Sequence, residues 1–118
     1  MRGSPADDRG VLHATNITMA GADELIAGSR DMLDRSGSPA YCAVARCADG
    51  EVVAGACSFG TERAARDQGR SLRSTLPDSR VFIVERLLRG GRVRWTIWHA
   101  DRDERLHQAF EEAPDAWV

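Results

Sequence analysis

Residues 80–100 read RVFIVERLLRGGRVRWTIWHA, and this stretch decides the fold. Two runs rich in β-branched and aromatic residues flank Gly90-Gly91. A glycine pair tolerates positive φ at both central positions of a two-residue turn, so the spacing predicts a β-hairpin of 80–88 with 92–100. The register of that hairpin sets Leu88 opposite Val93, Arg86 opposite Trp95, Val84 opposite Ile97 and Phe82 opposite His99. This face is mostly apolar and is assigned to the core, with Leu72 and Leu76 nearby and Arg86 stacked on Trp95. The other face carries Ile83, Glu85, Leu87, Arg94, Thr96 and Trp98. Ile83, Leu87 and Trp98 are more than a solvated face needs. They are expected to meet a helix or a second chain, which is the basis for expecting a homodimer.

A second hairpin is predicted upstream, 41–48 with 51–59, turning at Asp49-Gly50. Its strands are rich in small residues (Ala43, Ala45, Ala54, Gly55, Ala56), so something must pack closely over them. The helix that fits is predicted at 61–77. There Arg63, Arg66, Arg70 and Arg73 share one face by their spacing of three and four, and Ala65, Gly69, Leu72 and Leu76 share the other. Another helix is predicted over 20–35, with Thr18 as N-cap and Ala22, Leu25, Ile26, Ser29 and Leu33 on one face. Asp101 with Glu104 resembles a capping box, and Leu106, Ala109 and Phe110 recur at helical spacing, so a last helix is expected before Pro114. With a short strand at 11–17 the order is (β)-α-β-β-α-β-β-α. The class is α+β, an antiparallel sheet of two β-hairpins with helices mainly on one face. Residues 1–10 are read as a flexible N-terminal segment and 11–118 as a single domain.

The chain has 118 residues and a formal charge of −2, and all sixteen basic residues are arginine. The charge is unevenly placed. Arginines number five against eight acids over residues 1–60, nine against four over 61–94, and two against six over 95–118. A basic centre between acidic ends can be neutralised internally or can present a polar surface. The lysine-free composition lowers the weight of any one arginine, but it does not explain where the arginines sit.

No apolar run approaches the ~20 residues of a membrane span. No secretory h-region opens the chain, and three cysteines suit a reducing compartment, so a cytoplasmic protein is expected. Cys42, Cys47 and Cys57 have no familiar zinc spacing. A two-residue turn at Asp49-Gly50 sets Cys42 opposite Cys57, where a disulfide is conceivable, but the cysteines read better as small buried hydrophobes. His13, His99 and His107 have no partner at ligand spacing. No catalytic constellation, metal site or cofactor fingerprint is predicted.

The hexamer Arg66-Asp67-Gln68-Gly69-Arg70-Ser71 is similar to the Arg/Gln-x-x-Gly-x-Gly/Ala loop with which GNAT-type acetyltransferases hold the acyl-CoA pyrophosphate. The resemblance, spanning Tyr41 to Leu72, implies an acyl-CoA transferase as an alternative. Here, however, the hexamer falls inside a predicted helix, whereas free N–H groups cluster at a helix start. The leading expectation is a non-enzymatic protein that binds another macromolecule, an acidic protein in an inhibitory, toxin-neutralising or regulatory role. Its contact residues are Arg63, Arg66, Arg70, Arg73, Arg89 and Arg92. An enzyme or small-molecule binder built from dispersed residues ranks second. Nucleic acid ranks third, because residues 61–77 hold no aromatic ring for base stacking.

Overall fold

The computed structural model describes residues 17–55 and 60–114. In chain order the elements are α1 (Met19–Asp34), β1 (Ala40–Arg46), β2 (Val52–Ala54), α2 (Glu62–Thr75), β3 (Arg80–Arg89), β4 (Arg92–His99) and β5 (Arg105–Glu112). The strands form one antiparallel sheet in the order β2-β1-β3-β4-β5. The α+β class expected from the sequence is the class observed. The expected strand at 11–17, all but Ile17, lies outside the described residues, as do His13, Cys57 and Phe59.

The β3–β4 hairpin has the predicted register, with Val84 opposite Ile97 and Leu88 opposite Val93. Gly90 and Gly91 both take positive φ, 60° and 76°, as a tight turn between twisted strands demands. The first hairpin departs from expectation by one residue. Gly50 takes φ 92°, and the Cys47 N–H donates to the Glu51 carbonyl, so the loop holds three residues rather than two. Val44 therefore lies opposite Ala54, one residue off the expected register; the expected pairing of Cys42 with Cys57 falls on a position outside the described residues.

Each face of the sheet carries one helix, whereas the sequence reading put the helices mainly on one face. Strand alternation divides the core accordingly. On one face α1 buries Ala22, Leu25, Ile26 and Leu33 against Cys42, Val44, Phe82, Val84, Val93, Trp95 and Ile97. Thr18 caps this helix by accepting from the Gly21 N–H at 3.0 Å. Arg86 holds its far end: its buried guanidinium donates to the carbonyls of Leu33 and Gly37 at 3.2 and 3.4 Å. On the opposite face α2 buries Ala65, Gly69 and Leu72 against Ala43, Ala45, Val81 and Ile83. The small residues of β1 thus receive the small-residue face of α2. A Cβ added at Gly69 would stand 3.3 Å from Val81 Cγ1. Leu72 and Leu76 belong to this second core, across the sheet from Phe82 and Ile97.

The last expected helix is a strand. The helical spacing of Leu106, Ala109 and Phe110 is overridden because β4 would otherwise be a bare edge carrying Val93, Trp95 and Ile97. Pairing with β5 satisfies the β4 backbone and closes over Trp95, whose Nε1 donates to Glu111. Arg30 of α1 lies over the same indole, 4.9 Å from the ring centroid, and pairs with Glu111 at 3.2 Å.

Two substitutions test this packing. Ile97→Ala should cost about 2–5 kcal/mol through lost transfer energy and a residual cavity. Gly69→Leu should destabilise by about 1–3 kcal/mol, because the added side chain has no room above Val81. Both are read from urea unfolding midpoints at unchanged m-value.

Candidate functional site

The four helical arginines meet different fates. Arg66 is largely buried, at 15% side-chain exposure. Its Nη1 donates to the carbonyls of His99 (2.9 Å) and Ala100 (2.7 Å), its Nε to Glu62 (2.7 Å) and its Nη2 to Asp103 (3.4 Å). Arg73 donates to Asp101 at 2.6 Å. Together they clasp the β4–β5 connection to α2. Arg70 pairs with Asp67 one turn away, on the exposed side. Arg63 is exposed and has no acidic partner among the described residues. The acids that follow β4 in sequence therefore neutralise much of the stripe.

The hexamer at 66–71 is the middle of α2, with its amides inside the helix. Gly69 faces Val81 and Ala43 rather than solvent. These residues do not fit a pyrophosphate cradle, and no acyl-CoA chemistry is derived from them.

The self-association residues separate as well. Ile83 is sealed under α2, and Trp98 packs half-buried beside it. Leu87 instead lines a surface groove of about 280 Å3 with Arg89, Arg92, Arg94 and Phe110. The groove exists because α2 covers only the part of its sheet face near Val81 and Ala45. Toward the Gly90-Gly91 turn no described residue covers the same face. By the ladder register Leu87 lies opposite Arg94, Arg89 opposite Arg92, and Arg94 opposite Phe110, all on this face. The guanidinium of Arg92 lies 5.2 Å from the centroid of the Phe110 ring, which is 56% exposed. Arg94 stands 3.7 Å from Glu85, and its buried Nε has no hydrogen-bond partner. Arg89 is exposed and unpaired among the described residues. Three cations thus border an apolar floor, and internal ion pairing is weak.

Deeper in the same face Glu85, 7% exposed, accepts from the Trp98 indole at 3.0 Å. Burial, then the Glu85 carboxylate beside it, raises the Tyr41 hydroxyl above its ordinary value. Thr96, opposite Glu85, is buried with an unpartnered hydroxyl oxygen.

Among the described residues Cys47, Asp49 and Glu51 hold ligand atoms within 4.8 Å of one another at the β1–β2 turn. Desolvation, then these two carboxylates, pushes the Cys47 thiol up, away from the thiolate that metals bind. Cys42 is buried, and its Sγ lies 3.5 Å from the Ala43 carbonyl, to which it donates. His99 accepts the Asp101 N–H through Nδ1. No described helix is long and apolar enough to cross a membrane.

Arg89 and Arg92 were legible as an exposed cationic tip. Arg94 and Phe110 were missed as partners because the 105–112 segment reads as helix, which would have removed Phe110 from the sheet. Comparison with protein-family models, with curated proteins and with solved structures finds no match.

Arg66 and Arg70 should respond oppositely to truncation. Arg66→Ala strands two carbonyl acceptors and should cost about 1–3 kcal/mol, whereas Arg70→Ala should stay within about 0.5 kcal/mol. Chemical denaturation of both variants checks this. Tyr41 is the only tyrosine, so phenolate absorbance reports it alone. Its midpoint should lie above about 10 in the folded protein and fall in Glu85→Gln. Because the folded value is the raised one, the stability it contributes is present below the unfolded pKa and lost as pH rises through the folded pKa.

Proposed function

We propose that this is a non-enzymatic, cytoplasmic binding protein that holds an acidic protein partner, in an inhibitory, toxin-neutralising or regulatory role. The observation that carries this reading is the bare half of the sheet face, where Arg89, Arg92 and Arg94 surround Leu87 and Phe110. Arginine beside exposed aromatic and aliphatic surface is the composition of an interface hot spot. The weakly paired guanidiniums can each take a carboxylate, and Arg92 already lies against a ring that a partner would desolvate further. The helical stripe contributes less, because Arg66, Arg70 and Arg73 are held by Glu62, Asp67, Asp101 and Asp103. Arg63 is the member of that stripe left to extend the surface.

The alternative is a site for a small anion, favoured by the convergence of three guanidiniums. The groove sits at the lower limit of ordinary ligand pockets and runs open along the sheet, which suits an extended macromolecular partner better. A homodimer through Leu87 would set two cationic faces together, which favours an acidic partner over a second copy. Nucleic acid ranks behind both, since the chain carries a net negative charge.

The test begins with capture of the partner from source cells. Its affinity is then measured for wild type, for Arg89→Glu with Arg92→Glu, and for Arg70→Glu. The double reversal should weaken binding at least tenfold with thermal stability intact, and the wild-type association rate should fall as salt rises. Arg70→Glu should bind as wild type. Equal affinity of the double reversal and wild type would overturn the proposal.

A further inference from the structure

We infer that the acidic partner binds by strand addition, as an extended segment pairing antiparallel with the open edge of β5. The inference rests on the arginine-face reading above and adds the backbone, the register and the side-chain pattern. Among the described residues β5 has β4 on one side and no strand on the other. The opposite edge, β2, is blunted by its length of three residues. β5 has eight, and its centre, His107 to Phe110, carries no Pro, Lys, Arg, Asp or Glu. An edge of that kind is a template for another strand.

The backbone groups on offer can be named. The Ala113 N–H donates to the Gly91 carbonyl at 2.9 Å, so Gly91 and Ala113 are a bonded pair. Bonded and non-bonded pairs alternate along an antiparallel ladder. Glu111, Ala109 and His107 are therefore bonded to Val93, Trp95 and Ile97. Gln108, Phe110 and Glu112 turn their N–H and C=O away from β4, toward the missing strand.

Both sides of this edge are grooved, and Phe110 borders both grooves. On the α2 side lie Arg89 and Arg92, which have no acidic partner among the described residues, and Arg94, 3.7 Å from Glu85. On the α1 side a groove of about 270 Å3 is lined by Ile26, Ala27 and Trp95; its one cation, Arg30, is already paired with Glu111 at 3.2 Å, and Asp23 adds a second negative charge that disfavours an acidic side chain there. Successive side chains of an added strand point to opposite faces. The partner segment therefore alternates acidic residues, turned to the α2 side, with apolar residues turned to the α1 side. The acidic residues stand opposite Gln108 and Phe110, so their own amides bond to β5, and the residue opposite Glu112 is uncharged, since like charges directly across a strand pair repel.

The probe is an eight-residue peptide alternating glutamate and valine, with its ends capped. Fluorescence anisotropy with the full chain should show it binding at least tenfold tighter than the same composition arranged as a glutamate block and a valine block. N-methylation of the glutamate amides should abolish binding, whereas N-methylation of the valine amides should leave it within about threefold, because those amides face solvent. Gln108→Pro removes an outward N–H and no internal ladder bond, so it should keep the fold and lose the peptide more than tenfold. Arg89→Glu with Arg92→Glu should lose it also. Equal binding of the alternating and block peptides, both weakened by the arginine reversals, would overturn strand addition while leaving the arginine face as a binding surface. Equal sensitivity to the two methylation patterns would overturn it too. Failure of every acidic peptide, with the arginine reversals still weakening the captured partner, would overturn the alternating pattern. Sedimentation showing β5 paired with a second copy that peptide does not displace would overturn the assignment of the occupant.

Discussion

The position of α2 on the sheet is the constraint from which the rest of this structure follows. A helix approaches a sheet this closely only where both surfaces are made of small side chains. Gly69 and Ala65 meet Ala43, Ala45 and Val81, all near one end of the sheet. Once the helix is docked there, Arg66 and Arg73 reach the β4–β5 connection and lock it through its carbonyls and Asp101. The fourteen residues of α2 cannot also cover the end of the sheet at Gly90-Gly91. The bare face with Leu87, Arg89, Arg92, Arg94 and Phe110 is a consequence of where the small residues lie.

The same arrangement explains how the charges sort themselves. The basic centre and acidic flanks of the sequence partly cancel, but only where the fold brings them within reach. Arg66 and Arg73 sit beside Asp103 and Asp101 because β4 ends beneath α2. Arg30 meets Glu111 because α1 runs past β5. Arg89 and Arg92 flank a turn that projects from the sheet, and Glu112, across the ladder from Arg92, forms no ion pair with it. Surface pairs of this kind contribute little stability, so the sorting matters mainly for which face stays positive.

Much of the fold was legible in the sequence. The face of α1 from Ala22 to Leu33, the small-residue face of α2 and the β3–β4 register were all readable from periodicity and turn chemistry. Three features were not. The β1–β2 loop gained a residue because Gly50, and not the Asp49-Gly50 pair, supplies the positive φ. The segment 105–112 has helical spacing, and only the bare edge of β4 makes it a strand. The division of the helices between two faces depends on which strand residues face each helix, and short apolar runs do not encode that. The candidate site inherits this limit. Its β3–β4 tip was visible, but Phe110 and the open edge required β5 to exist.

Residue-resolved amide hydrogen exchange along β5 tests the central claim most directly: that β5 is a paired edge strand whose outer side is free. His107, Ala109 and Glu111 donate to β4, whereas Gln108, Phe110 and Glu112 point outward. The predicted result is an alternating pattern, with slow exchange at 107, 109 and 111 and exchange at least a hundredfold faster at 108, 110 and 112. Uniform protection from 107 to 112 would contradict the account, because another strand or a helical backbone would then be holding the outer amides.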